Sequence, residues 1–297
     1  MKSVGLLVTA IAVTLGYTQS PDTLWARTYG GPYDDYGNSV AQTTDGGYII
    51  TGYTTFYAGG PNDVWLIKTD TSGDTLWTKT YGGADSDCGL SGVQTTDGGY
   101  VVTGGTVSYG AGNTDVWLIK TDASGDTIWT RTYGNSDYDY GYSVAQTTDG
   151  GYVVAGYTSS YGGATEDVWL IRTDASGDTI WTRSYGGTEF DCGYSVVQTT
   201  DCGYIVIGIT GSYGAGWIDV WVIKTEPDVT VEENGPSVVT KNGVAATIFR
   251  GPLQLPEGKK CKVYDITGRV VESTRIRPGI YFIEVDGVVT QKVVKVR

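Results

Sequence analysis

The chain has 297 residues, enough for one large or two ordinary domains, and its 45 Gly, 23 Tyr and 9 Trp against only 4 Phe and 1 Met indicate an all-β protein with many tight turns. It contains no histidine, which removes Ser-His-Asp and Cys-His nucleophile systems and His-ligated zinc. The net charge of −13 is uneven, with nine basic against 26 acidic residues in 1–229 and eleven against seven in 230–297, so two parts of different character follow and the acidic part is not expected to bind nucleic acid.

In chain order, residues 1–20 read as a secretory signal peptide: Lys2 is the short basic start, and an apolar run from Val4 to Gly16 is of signal-peptide length. The alternative is an uncleaved anchor, although the run is short for a span. From Asp22 the words DTLW or DTIW return at Asp74, Asp126 and Asp178, a period of 52 residues. Each period supplies four strand-like words, in the first copy GNSVAQTT (37–44), GYIITGYT (47–54), DVWLIKTD (63–70) and DTLWTKTY (74–81), here called a, b, c and d. Asp45-Gly46 between a and b predicts a type I′ hairpin, and Thr71-Ser72-Gly73 between c and d predicts a three-residue turn with glycine in the left-handed region. Placing Asp70 opposite Asp74 puts Trp65, Ile67, Trp77 and Lys79 on one face of the c–d hairpin and Val64, Leu66, Leu76 and Thr78 on the other. Both faces are apolar, so each sheet needs cover on both sides.

Four-stranded sheets at a fixed period predict a four-bladed β-propeller over residues 21–229. The fourth repeat has a, b and c but no d word, whereas residues 22–29, DTLWARTY, stand alone at the other end; they are expected to complete the fourth blade and close the ring. An open solenoid capped by the tail is the alternative. The words QTTDGGY, DVWLIKTD and DTIWTRTYG resemble the Trp- and Gly-rich tandem β-propeller repeats of secreted bacterial and archaeal proteins, which implies the fold and an extracytoplasmic setting but no particular activity.

Alternating strand direction puts the longer b–c and d–a loops at one end of the sheets, where binding residues concentrate. Tyr57, Tyr109, Tyr161 and Tyr213 form one column there, suited to a glycan or protein ligand or to plugging each sheet's own edge. Trp217, which replaces Asn113 and Thr165 of neighbouring copies, is the better single contact candidate. Asp35, Asp87, Asp139 and Asp191 form a second column, either holding a cation such as Ca²⁺ or capping backbone N–H groups of their own loops. Basic residues fall in two columns, Lys68, Lys120, Arg172 and Lys224 on c and Arg27, Lys79, Arg131 and Arg183 on d, expected to cover tryptophans and protect an edge. Of the four cysteines, Cys88 and Cys192 share a column, while Cys202 replaces a turn glycine; mostly free thiols are expected.

After Pro227 the composition changes, giving a polar linker over 230–243 and short strands over 244–297. Residues 261–297 resemble the C-terminal sorting domain of type IX secretion cargo in Tyr264-Asp265, Gly268-Arg269, Pro278-Gly279, Tyr281 and the basic end with Lys292 and Lys295. The resemblance implies a small immunoglobulin-like β-sandwich, the secretion machinery as partner, and delivery to the cell surface or medium. The functional expectation is a surface binding or adhesion module. An enzyme using loop carboxylates, for instance Asp34 with Asp35 or Glu189 with Asp191, and a structural surface-layer component are the alternatives.

Overall fold

The computed structural model describes residues 22–55, 60–163, 165–228, 237–241, 244–249, 253, 255, 260–265, 267–272, 276–277, 279–285 and 288–295. The expected signal peptide, Tyr57, Pro278 and most of the linker lie outside these residues. The chain divides into two units, Met1–Thr225 and Glu226–Arg297.

The first unit is all β. Strands β1 (Asp35–Gln42), β2 (Tyr48–Thr54), β3 (Asp63–Thr69) and β4 (Thr75–Tyr81) form one antiparallel sheet in that order. The pattern returns in β5 (Asp87–Gln94), β6 (Tyr100–Thr106), β7 (Asp115–Thr121) and β8 (Thr127–Tyr133). It returns again in β9 (Asp139–Gln146), β10 (Tyr152–Thr158), β11 (Asp167–Thr173) and β12 (Thr179–Tyr185). The fourth sheet has only β13 (Asp191–Gln198), β14 (Tyr204–Thr210) and β15 (Asp219–Lys224). The tandem repeat is therefore real at the level of the sheet.

The ring is not. Among the described residues no sheet is closed, and the four-bladed propeller expected from the period is not formed. Each sheet packs on the next along the chain, β2 on β5, β6 on β9 and β10 on β13, and substantial packing ends there. Residues 22–30 join no strand of the fourth sheet; they lie on the first. Trp25 meets Tyr48 edge-on at 5.8 Å, the Tyr29 hydroxyl donates to the Gly73 carbonyl at 2.7 Å, and Arg27 pairs with Asp74 at 3.2 Å. The physical reason is that word d has two ways to be satisfied, as a strand beside c of its own sheet and as a cover for the following sheet. The N-terminal copy satisfies the second.

Three apolar clusters lie between successive sheets. The first joins Ile49, Val64 and Leu66 to Tyr100, Val102, Trp117 and Ile119. The second joins Val101, Val116 and Leu118 to Tyr152, Val154, Trp169 and Ile171, and the third joins Val153, Val168 and Leu170 to Tyr204 and Val206. One face of each sheet, with Val64 and Leu66, thus looks forward along the chain; the other, with Trp65 and Ile67, looks back.

The c–d facing differs from expectation by one residue. Asp70 does lie opposite Asp74, its N–H donating to the Asp74 carbonyl at 2.9 Å, but the register then shifts: Thr69 pairs Thr75, and Lys68 pairs Trp77. Leu76 is the extra residue of a bulge, and a one-residue slip moves every later side chain to the other face. Trp77, Lys79 and Tyr81 therefore share the forward face with Val64, Leu66 and Lys68. The a–b turn is also not type I′. Gly46 alone has positive φ, +84°, and its N–H donates to Thr43 O at 2.9 Å, so a type I turn is followed by a left-handed glycine. The c–d turn uses Gly73 at +78° as expected. In word b the recurring Gly52, Gly104, Gly156 and Gly208 face a bulge in word a, where a Cβ would overlap the carbonyl oxygen of Tyr36, Cys88, Tyr140 or Cys192.

In the second unit, β16 (Ser237–Lys241), β17 (Val244–Phe249), β18 (Cys261–Asp265), β19 (Val270–Val271), β20 (Gly279–Val285) and β21 (Val288–Lys295) make one six-stranded sheet ordered β16-β17-β21-β20-β18-β19. Its β17–β21 pair is parallel and the rest antiparallel. One mixed sheet replaces the expected two-sheet sandwich among the described residues. Val263, Ile276, Tyr281 and Ile283 form its buried cluster.

Candidate functional site

The b–c and d–a loops meet at one end of each sheet, and two aspartates per repeat organise them. Asp87, first residue of β5, accepts Gly83 N–H at 2.9 Å and Ser108 Oγ–H at 2.7 Å, and it also accepts the Thr106 hydroxyl. Asp139 accepts from Asn135 N–H and Ser160, and Asp191 from Gly187 N–H and Ser212, while the half-buried Asp35 accepts from Gly31 N–H. Each of the four caps its own loop. Among the described residues no three Asp, Glu, Cys or His side chains stand together as a metal could require.

The second carboxylate of each set went unmarked in the sequence. Asp115, Asp167 and Asp219 open word c and accept the N–H groups of Ala111, Gly163 and Ala215 at 2.6, 2.7 and 3.0 Å. Asp115 approaches Asp139 across Gly134, and Asp167 approaches Asp191 across Gly186, where a side chain would strike both carboxylates. Burial pushes the pKa values of Asp115 and Asp167 up, against the opposing Ala111 and Gly163 N–H donors and with a smaller push from the neighbouring carboxylate. The signal available was the strict return of Asp before Val-Trp in every copy.

The described tyrosines of the other column are half spent on structure. Tyr109, Tyr161 and Tyr213 donate their hydroxyls to Gly82, Gly134 and Gly186 carbonyls at 2.9, 3.1 and 2.7 Å, and their rings lie 5.2 to 5.4 Å from Trp117, Trp169 and Trp221. Their outer ring faces remain in solvent.

Trp217 stands apart. It is 97% exposed, and it borders an open cleft of about 630 Å³ lined also by Glu189, Phe190, Gly211, Gly216 and Ile218. Phe190 continues into an aromatic run that repeat logic does not reveal: its ring centroid lies 6.2 Å from Tyr157, which lies 6.1 Å from Tyr142, which meets Tyr194 edge-on at 5.4 Å. Burial pushes the Tyr142 phenol up to about 12. The corresponding positions of the second repeat hold Leu90 and Gly105, so the run belongs to this end of the unit.

The basic columns also have different fates. Lys68, Lys120 and Arg172 are buried on the forward faces and reach the turn aspartates Asp45, Asp97 and Asp149; Lys68 Nζ also donates to Thr69 O at 2.8 Å. They tie word c to the a–b turn instead of guarding an edge. In the d column, Arg27 and Arg131 do lie over Trp25 and Trp129, at 6.0 and 5.6 Å. Cys88, Cys192 and Cys202 are free thiols, and burial raises the Cys192 pKa to about 12.

In the tail, Tyr264 donates to Glu284 at 2.7 Å. Asp265 accepts from Thr267 and Arg269 N–H across a turn with Gly268 at φ +83°, and Tyr281 donates to Arg277 O at 2.8 Å. Gly279 begins β20, and Lys292 and Lys295 lie on β21.

Fold and loops together define an all-β tandem-repeat protein carrying a separate small β unit. No protein-family model matches the chain. Over 93 residues, 27% of this chain, it is 33% identical to the regulatory protein FlaEY of Caulobacter vibrioides, of which it covers 10%. The chain thus spans about a tenth of the curated relative it matches.

Proposed function

We propose that the repeat unit is the binding module of a secreted or cell-surface protein, holding a glycan or protein segment at the Trp217 cleft, and that residues 244–297 deliver it through a type IX secretion route. The observation that carries the binding reading is Trp217. An indole left almost wholly in water keeps its large apolar area free for a ligand to cover, and it stands in one patch with Phe190 and Ile218, with Glu189 at hand for polar contacts. Tyr109, Tyr161 and Tyr213 extend the aromatic surface from repeat to repeat. Support for the delivery reading is the resemblance of Tyr264-Asp265, Gly268-Arg269, Gly279 and Tyr281 to sorting tails, together with the basic shift in charge. Nothing in FlaEY's name argues for or against either, since a tenth of its length is covered.

A glycan array probed with the wild-type chain and Trp217→Ala tests the site. Trp217→Ala should weaken any captured glycan or surface protein about tenfold or more while leaving the melting temperature unchanged. Equal binding by the two chains would remove the cleft from the proposal. Deleting 240–297 should hold the protein in the periplasm, and normal surface export would defeat the sorting role.

A further inference from the structure

The two ends of the repeat unit are complementary halves of a junction that the molecule builds three times within itself. No fifth repeat sheet follows the fourth among the described residues, and on its forward face Val197, Ile207, Val220 and Val222 are exposed, Val220 by 73% and Val222 by 53%. Their counterparts Val168 and Leu170, one repeat earlier, are 1% and 0% exposed. β15 is also an edge strand, pairing only with β14 among the described residues. At the other end, Val40 on the backward face of the first sheet is 66% exposed, although its counterparts Val144 and Val196 are buried.

Residues 22–29 carry the word that the fourth sheet lacks, and they lie on the first sheet as a d word lies on the sheet that follows it. At each internal junction, word d both pairs with c of its own sheet and covers the next: Trp77 meets Tyr100 at 5.6 Å, Tyr81 donates to Gly125 O at 2.7 Å, and Lys79 pairs with Asp126 at 2.8 Å. The N-terminal word makes the same three contacts with the first sheet, Trp25 to Tyr48, Tyr29 to Gly73 O and Arg27 to Asp74. Only its pairing with a c strand is unmade.

We infer that a second copy of this chain adds its residues 22–29 as the fourth strand beside β15 and seats its first sheet on the exposed face of the fourth, a head-to-tail contact. The β3–β4 ladder gives the register: Leu66 opposite Lys79 and Ile67 opposite Thr78 become Val222 opposite Arg27 and Ile223 opposite Ala26 of the second copy. At the loop end, the N–H groups of Asp87, Asp139 and Asp191 donate to the carbonyls of Asn62, Thr114 and Glu166 of the preceding repeat; Ile218 holds that place for Asp35 of the second copy. At built junctions Gly60 and Gly112, which hold Gly216's place, lie against the backbone of the following d–a loop, and Thr165, which holds Trp217's place, donates to Glu189 O, so the seated copy borders the ligand cleft on its Gly216 side, while Pro61 and Asn113 show that a side chain at Trp217's place stays exposed. Association is therefore measured without ligand, where it rests on the two chain ends alone.

Two preparations of the full chain, Arg27→Cys and Val222→Cys, are mixed under mild oxidation, and sedimentation velocity of the wild-type chain is followed over a hundredfold dilution. A disulfide joining the two variants to each other, absent when either is incubated alone, and concentration-dependent sedimentation are expected. The doubly substituted Val220→Lys, Val222→Lys chain, changed only at exposed positions, should keep its fold by circular dichroism and associate at least about tenfold more weakly. Trp217→Ala should associate as the wild type does. A wild-type chain that sediments as a monomer throughout, or a chain carrying both cysteines that closes the disulfide within one molecule, overturns the inference. So does association that survives the two lysines.

Discussion

Cys202 holds φ at +67°, the only described non-glycine residue in the left-handed region, at the turn position that Gly46, Gly98 and Gly150 occupy in the other repeats. A side chain there costs about 1–2 kcal/mol. Cys202→Gly should therefore raise the unfolding free energy by about 1 kcal/mol once the extra freedom of glycine in the unfolded chain is deducted, read from urea denaturation of the full chain. Asp115 and Asp167 supply a residue-scale pH effect of opposite sign to the turn aspartates. Their folded pKa values are raised, so as pH rises from about 4 the unfolded chain loses its protons first and stability falls through that window. Asp97 is held near 2 in spite of the burial that opposes it, by Thr95, Lys120 and Gly99 N–H, and its contribution is lost as pH falls from about 4 toward 2. Asp115→Asn keeps an oxygen for Ala111 N–H and should flatten the fall in stability above pH 4; an unchanged pH profile would mean that the carboxylate is not held protonated by its setting.

At the scale of the element, the same residue type changes role with what covers the strand. Lys120 is 3% exposed beneath the following sheet, donating to Thr121 O at 2.8 Å and pairing with Asp97, whereas Lys224 makes the equivalent bond to Thr225 O and pairs with Asp201 with its forward face open. Lys120→Ala should destabilise by about 2 kcal/mol through lost packing and an unfilled carbonyl, and Lys224→Ala by no more than about 0.5 kcal/mol. Parallel thermal melts would check the contrast. Strands, turns and the 52-residue period were legible because local chemistry states them: Asp-Gly and Ser-Gly at the turns, alternation between. The c–d facing was not, because the Leu76 bulge is a backbone adjustment with no residue signature, and one inserted residue reverses the side of Trp77. Closure of the ring was not legible either. The word DTLWARTY carries the same residues whether it bonds beside a c strand or covers the next sheet. At the loop end, the Asp35 column was readable as loop caps, Asp115 and Asp167 were hidden in a word read as strand, and Phe190 to Tyr194 could be related only by packing between repeats.

For the whole repeat unit, stability is a sum of sheets and of the junctions between them. The second and third sheets are covered on both faces, and their strands β6, β7, β10 and β11 are almost wholly buried. Among the described residues of the repeat unit, only residues 22–30 cover the first sheet behind and none covers the fourth in front, where β15 alternates half-buried and exposed. Opening the fourth sheet gives up one apolar junction, whereas opening the third gives up two, so local opening begins at the end. Hydrogen exchange at protein concentrations low enough to keep the chain dissociated should show amides of β13 to β15 exchanging faster than those of β6, β7, β10 and β11. If the exposed forward face is where a second copy seats, raising the concentration should slow exchange in β15 and in residues 22–29 together and leave β6 and β7 unchanged. Protection that rises in β15 alone would assign its cover to something other than the N-terminal word.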